Sequence, residues 1–258
     1  QAALQLHQAD LLSSTISTPD ENTGETKFHE LAREGNVKVL KFLLQNKLIR
    51  SDEEVTEGKK RRNTKLIVDN LLIQDNLGWN PIMSAIKAEK GAREIIEMFL
   101  QFLLEYMENP KDLTKLLRAE EKKNVMKEEN IEKKRKDGKS IKETLFTLLV
   151  SNLGKKDSSK ALDLLFQLLK KHCNSEELSS WFHELTKQLW KARSCDCTSQ
   201  SMKELIRLSS EVEIDFTSVM KKQNKFGNTL LMKLAMKLKD EALRELLTNT
   251  RTSKYVSF

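Results

Sequence analysis

Three stretches decide how this chain folds: Gly24-Glu-Thr-Lys-Phe-His-Glu-Leu-Ala32, Gly78-Trp-Asn-Pro-Ile-Met-Ser-Ala-Ile86 and Gly227-Asn-Thr-Leu-Leu-Met-Lys-Leu-Ala235. Each sets a glycine four residues ahead of an apolar residue, Phe28, Ile82 or Leu231, that opens a helical pattern. The chain holds only eight glycines and three prolines in 258 residues. Three glycines in one phase therefore mark places where the backbone needs positive φ or room. Two positions after each glycine stand Thr26, Asn80 and Thr229, short polar side chains suited to accept a backbone N–H at a helix start. Pro81 follows at a first helical position, where no N–H is needed. The pattern predicts a turn followed by a short helix, three times over.

Each short helix leads into a second apolar pattern: Val39, Leu40, Phe42, Leu43, Leu44, then Ile95, Ile96, Met98, Phe99, Leu100, then Ala242, Leu243, Leu246, Leu247. Those spacings predict a second helix per unit. Composition agrees. Glycine and proline together make about 4% of the chain against an average near 12%, which argues against a turn-rich all-β fold. A hydrophobic fraction of 38% and a charged fraction of 32% fit folded units separated by solvated insertions.

These residues resemble the ankyrin repeat, with its turn, Thr-Pro-Leu-His-x-Ala helix opening, mid-unit glycine and Val-x-Leu-Leu second helix over about 33 residues. The first copy matches best, through Thr26-Lys27-Phe28-His29, Leu31, Ala32, Gly35, Val39 and Phe42-Leu43-Leu44. The second supplies Asp75, Gly78 and Asn80-Pro81-Ile82, with Met83 at the histidine position. The last supplies Asn224, Gly227, Thr229 and Leu231, with Leu230 at the proline position. Two weaker candidates lie between: Thr144-Leu145-Phe146 with Gly154 and 161–169, and Trp181-Phe182-His183-Glu184-Leu185 with 202–208. Phase residues at 28, 82, 146, 182 and 231 are 54, 64, 36 and 49 apart, so the resemblance implies insertions. The fold it implies is all-α, an ankyrin-type helical solenoid of about five irregular helix-pair repeats over 22–250. Segments 1–21 and 251–258 would flank it.

Long charged insertions are expected near 51–65 and 118–139. The first is almost wholly polar and ends in Lys59, Lys60, Arg61 and Arg62; the second holds nine basic and six acidic residues. Neither can bury enough apolar surface to offset ordering entropy, so each should be a mobile loop or an exposed helix extension.

A catalytic reading has little support in the sequence, and an enzyme of unfamiliar design is only a third alternative. It lacks a Gly-rich phosphate loop, His-Glu-x-x-His and Gly-x-Ser-x-Gly, and it has four histidines, so no enzyme, cofactor or small-molecule substrate is expected. The resemblance gives His29 a structural role, bonding back to Thr26 at the helix start, and gives His183 the same role opposite Ser180. Cys195-x-Cys197 with His172-Cys173 is a poor match to the Cys-x₂₋₄-Cys spacing that lets two ligands from one turn reach a tetrahedral zinc. Free thiols are expected there, and no metal. Three cysteines are too few and too clustered for a disulfide framework, which suits cytoplasm or nucleus.

The longest apolar stretches fall short of the roughly 18 residues needed to cross a bilayer, so no membrane span is expected. The N-terminus has neither the basic start nor the apolar core of a signal peptide. Lacking an initiator methionine, the chain is expected to belong to something longer.

Binding is what remains. In the family's stack, residues two, five and six after the phase residue face a concave groove: Glu30, Arg33, Glu34; Ser84, Lys87, Ala88; Lys233, Met236, Lys237. Trp79 and Phe226 flank turn glycines at the tips, where they either pack on a neighbouring tip or anchor a partner. The expected function is a non-catalytic protein-interaction scaffold whose partner-binding residues are Arg33, Trp79, Lys87, Phe226, Lys233 and Lys237. The alternative is a basic helical module holding RNA or DNA by its phosphates. The net charge of +7 and the Lys59 to Arg62 run allow it, as they allow a nuclear-import signal or a merely solvated segment. No aromatic residue interleaves the basic run for base stacking.

Overall fold

The computed structural model describes residues 18–49, 57–88, 90–119, 144–156, 159–191 and 205–210, with Gly227, Thr229, Met232 and Arg244 singly. Inside helices, the side chains at 46–49, 57–63, 151–156 and 186–191 lie outside that description. The described regular structure is helical, with no β-strand. In order, the helices are α1 Lys27–Arg33, α2 Val37–Ile49, α3 Glu57–Leu72, α4 Pro81–Lys87, α5 Ala92–Tyr106, α6 Pro110–Leu117, α7 Leu145–Lys156, α8 Ser159–His172 and α9 Ser175–Lys191, followed by a helical stretch at 205–210. The chain divides into two compact units, 1–145 and 146–258.

In the first unit the glycines do what their phase predicts. Gly24 and Gly78 take φ of 70° and 82°. Gly24 N–H donates to Asp20 O at 2.7 Å, and Gly78 N–H to Asp75 O at 2.9 Å. The two turns lie edge to edge, since Asn76 N–H donates to Thr23 O at 2.9 Å and the Asn76 amide to Asn22 O at 2.8 Å. Thr26 then sits in extended backbone and α1 begins. Asn80 does the same for α4, its Oδ1 accepting from Met83 N–H at 2.9 Å, with Pro81 opening the helix.

Seven residues of α1 are too few to hold a helix in water; termination and packing hold it. Gly35, at φ 73°, closes the helix in the left-handed turn that a β-carbon disfavours. Gly35 N–H donates to Ala32 O at 3.2 Å and Asn36 N–H to Leu31 O at 2.9 Å. Asn36 Oδ1 then caps α2 through Val39 N–H at 3.4 Å. Gly91, at φ 69°, opens α5 in the same way. The two glycines face one another closely: a β-carbon on Gly35 would lie 2.2 Å from Lys90 O, and one on Gly91 2.7 Å from Val37 Cγ2.

Packing then assembles the elements. α1 and α4 lie side by side, α2 and α5 back them, and α3 touches α2, α4, α5 and α6. Phe28 and Phe99 meet edge to face with centroids 6.1 Å apart. Each such buried aromatic contributes about 1.5–3 kcal/mol by leaving water. The helix-pair expectation needs two additions here, α3 and α6. Of the expected charged insertion, residues 57–65 form the first half of α3, whose later turns bury Ile67, Val68, Leu71 and Leu72. The second charged insertion lies almost wholly outside the described residues.

The second unit centres on Phe146, Phe166 and Phe182, stacked edge to face at 6.4 and 5.9 Å. Arg207 forms an ion pair with Asp163, tying the stretch at 205–210 to α8. Gly154 lies within α7, not between helices as the third candidate repeat expected. Phe182 lies mid-way along α9 rather than at a helix opening. A capping box fixes the start of that helix upstream. Asn174 Oδ1 accepts from Glu177 N–H at 2.9 Å, and Glu177 Oε2 accepts from Asn174 N–H at 3.0 Å. Ser180 is thus interior to the helix and cannot cap it. Of the last candidate repeat, Gly227 keeps positive φ, 78°, and Thr229 Oγ1 accepts from Met232 N–H at 3.4 Å.

Candidate functional site

His29 joins the two turn-helix openings of the first unit. It is 0% exposed. Its Nδ1 accepts from Thr26 N–H at 3.1 Å and lies 2.9 Å from the Thr26 hydroxyl; its Nε2 lies 3.0 Å from Trp79 O. A carbonyl only accepts, so Nε2 carries the proton, and Nδ1, facing a backbone donor, is bare. The ring is therefore neutral, and burial pushes its pKa below the ordinary histidine value. The structural role expected of His29 is thus present, extended by a bond to the neighbouring turn. Asp75 completes that turn. Its Oδ1 accepts from Trp79 N–H at 2.8 Å while its own N–H donates to Trp79 O at 2.9 Å. Burial raises the Asp75 pKa above the usual carboxylate value.

On this frame the two units of the pattern repeat a contact. Glu25 and Trp79 each follow a turn glycine; Arg33 and Lys87 each stand five residues after a phase residue. Arg33 pairs with Glu25, and Lys87 Nζ lies 5.0 Å from the centroid of the Trp79 ring. Both turn-to-helix clasps thus put a cation at the C-terminal end of an inner helix, where the helix dipole favours it. Arg33 and Lys87 are exposed and Trp79 is half-buried. The Trp79 indole N–H is buried without an acceptor.

Not all of the expected groove faces solvent. Ser84 and Ala88 are buried, because α1, α3 and α5 all touch α4 and their small side chains let neighbours cover them. Lys87 is the exposed member of its set. Glu25, which neutralises Arg33, was not singled out by sequence; its position beside a turn glycine, matching Trp79, is the signal that could have found it.

Phe226, Lys233 and Lys237 lie outside the described residues. Lys59, Lys60, Arg61 and Arg62 fall in the first turns of α3, but their side chains are outside the description as well. His183 does not repeat the His29 arrangement: its Nδ1 lies 2.8 Å from Ser179 O, one turn back in α9. Cys195 and Cys197 lie outside the described residues; Cys173 is a free, half-buried thiol whose pKa burial raises. Among the described residues no group of three histidine, cysteine or carboxylate side chains could hold a metal ion. Nor is any described helix long and apolar enough to cross a membrane. Comparison with models of known families, with curated proteins and with solved structures finds no match.

Proposed function

We propose that this chain is a non-catalytic protein-interaction scaffold built on irregular ankyrin-type repeats, binding a partner through the face formed by α1, α4 and their turns. The observation that carries the reading is the repeated clasp, Glu25 with Arg33 and Trp79 with Lys87, on two inner helices that lie side by side. It presents a half-buried aromatic and two cations on a rigid frame, and rigid aromatic and cationic anchors carry most binding energy at protein interfaces.

Support for the ankyrin reading comes from the shared phase of Gly24, Gly78 and Gly227, all at positive φ, and from His29 bridging two turns. Proteins captured by the full chain from cell extract are compared with those captured by Trp79→Ala and by Arg33→Glu. At least one protein is lost with both variants while the circular dichroism of the chain is unchanged. An identical set of captured proteins would rule out this face.

A further inference from the structure

The outer face of α2 holds a patch separate from that groove. The sequence pattern treats Val39, Leu40, Phe42, Leu43 and Leu44 as one apolar set, but the helix divides them. Leu40, Leu43 and Leu44 are buried toward α1, α3 and α5, whereas Val39 is 40% and Phe42 59% exposed. At 3.6 residues per turn, Lys38, Lys41 and Gln45 share the outer arc with Phe42. All three are exposed, and no ion pair among the described residues engages either lysine. An exposed phenylalanine with a valine three residues earlier is half of a helix–helix ridge. The lysines bias that ridge toward a partner with carboxylates.

We propose that the Val39–Phe42 face of α2 docks an amphipathic helix of another protein whose apolar stripe is flanked by Asp or Glu. Phe42 would seat between successive turns of that helix, and Lys38 and Lys41 would meet its acidic flank. A second copy of this chain suits the face poorly, because a two-fold contact sets the lysines against themselves. A membrane surface suits it poorly too, since two apolar side chains make a far narrower stripe than the face that holds a helix in a bilayer interface.

Two synthetic helical peptides with the same leucine stripe, one flanked by Glu and one by Lys, are titrated with the full chain by fluorescence anisotropy. The Glu-flanked helix is expected to bind at least about tenfold more tightly. Phe42→Ala, at an exposed position that the fold does not need, should weaken it by a similar factor. The Lys38→Glu/Lys41→Glu double variant should reverse the preference, and Trp79→Ala should leave the affinity unchanged, which separates this face from the groove. The proposal is overturned by absent binding, by equal binding of the two helices, or by indifference to Phe42→Ala. It is also overturned if Phe42 controls self-association in sedimentation, or if phosphatidylserine vesicles bind the face and the Glu-flanked helix does not.

Discussion

Replacing His29 by alanine removes the ring that ties one turn to the next. Thr26 N–H, on a residue 1% exposed, then loses its acceptor, and an orphaned buried donor costs about 1–3 kcal/mol. Trp79 O keeps its bond from Asp75 N–H, so the lost Nε2–H bond counts only at its net value of about 1 kcal/mol. The space left by the imidazole adds ~1–2 kcal/mol. The expected loss is about 4 kcal/mol, a large fraction of a domain's stability.

Urea denaturation followed by tryptophan fluorescence measures it in the first unit. Trp79 is its one tryptophan, so Trp181→Phe and Trp190→Phe in the background leave a single reporter. The pH dependence gives a second readout. The native pKa of His29 lies below the unfolded value of 6.5, so its contribution is complete above that value and is lost as pH falls toward the native one. Wild type should therefore lose stability relative to His29→Ala as pH drops below about 6.5. A loss under ~1 kcal/mol at pH 7, with parallel pH curves, would refute the assignment of His29 as the inter-turn bond.

Gly35→Ala, read by Trp79, is expected to destabilise the first unit far more than Gly227→Ala destabilises the second, read in urea with Trp181 and Trp190 kept and Trp79→Phe in the background. Both alanines meet positive φ, worth about 1–2 kcal/mol, but only the first drives a β-carbon to within 2.2 Å of a backbone carbonyl, while the second meets nothing within 4 Å. Equal losses would contradict that packing. Asn80→Ser keeps the cap of α4 and deletes an amide Nδ2 that is buried without an acceptor, so it should be near neutral. Asn80→Ala should lose about 1 kcal/mol with the cap. Asp75→Asn keeps an oxygen for Trp79 N–H and removes a buried charge, so it should stabilise the first unit at pH 7. Because burial raises the native pKa of Asp75 above 3.8, wild type should regain ground on the variant as pH falls through that native value. A destabilised Asp75→Asn at pH 7 would show that the charge itself is needed.

Local backbone demands were legible in the sequence because glycine and cap residues report them directly. The shared phase of Gly24 and Gly78 and the column of Thr26 and Asn80 anticipated both turns and both helix starts of the first unit, and Gly227 keeps the positive φ its phase implies. Elements set by tertiary packing were less visible. The first half of α3 is polar, which reads equally as a mobile loop or an exposed helix extension, and only the burial of Ile67, Val68, Leu71 and Leu72 in its second half shows that the helix extension is the one formed over 57–65. α6 passed unnoticed despite Asn109 and Pro110, whose cap and first-turn roles match Asn80 and Pro81. His183 misled because the Phe-His-Glu-Leu string is the same in both places, while the cap that decides the register sits at Asn174. At the candidate site, Trp79, Lys87 and Arg33 were named from sequence. Their clasps were not, since a contact between a turn and the far end of its helix is fixed only once the helix length is known. Val39 and Phe42 show the same gap: the apolar spacing was read, and which side of the helix each occupied was not.

The most direct test of the groove places a photocrosslinking amino acid at position 33 or 87 of the full chain, with position 160 as a control on an exposed lysine of the second unit. The account predicts that 33 and 87 label one shared protein, in adducts that protease removes and nuclease leaves intact, and that 160 does not label it. Nuclease-sensitive adducts, or labelling at 33 and 87 no different from that at 160, would contradict it.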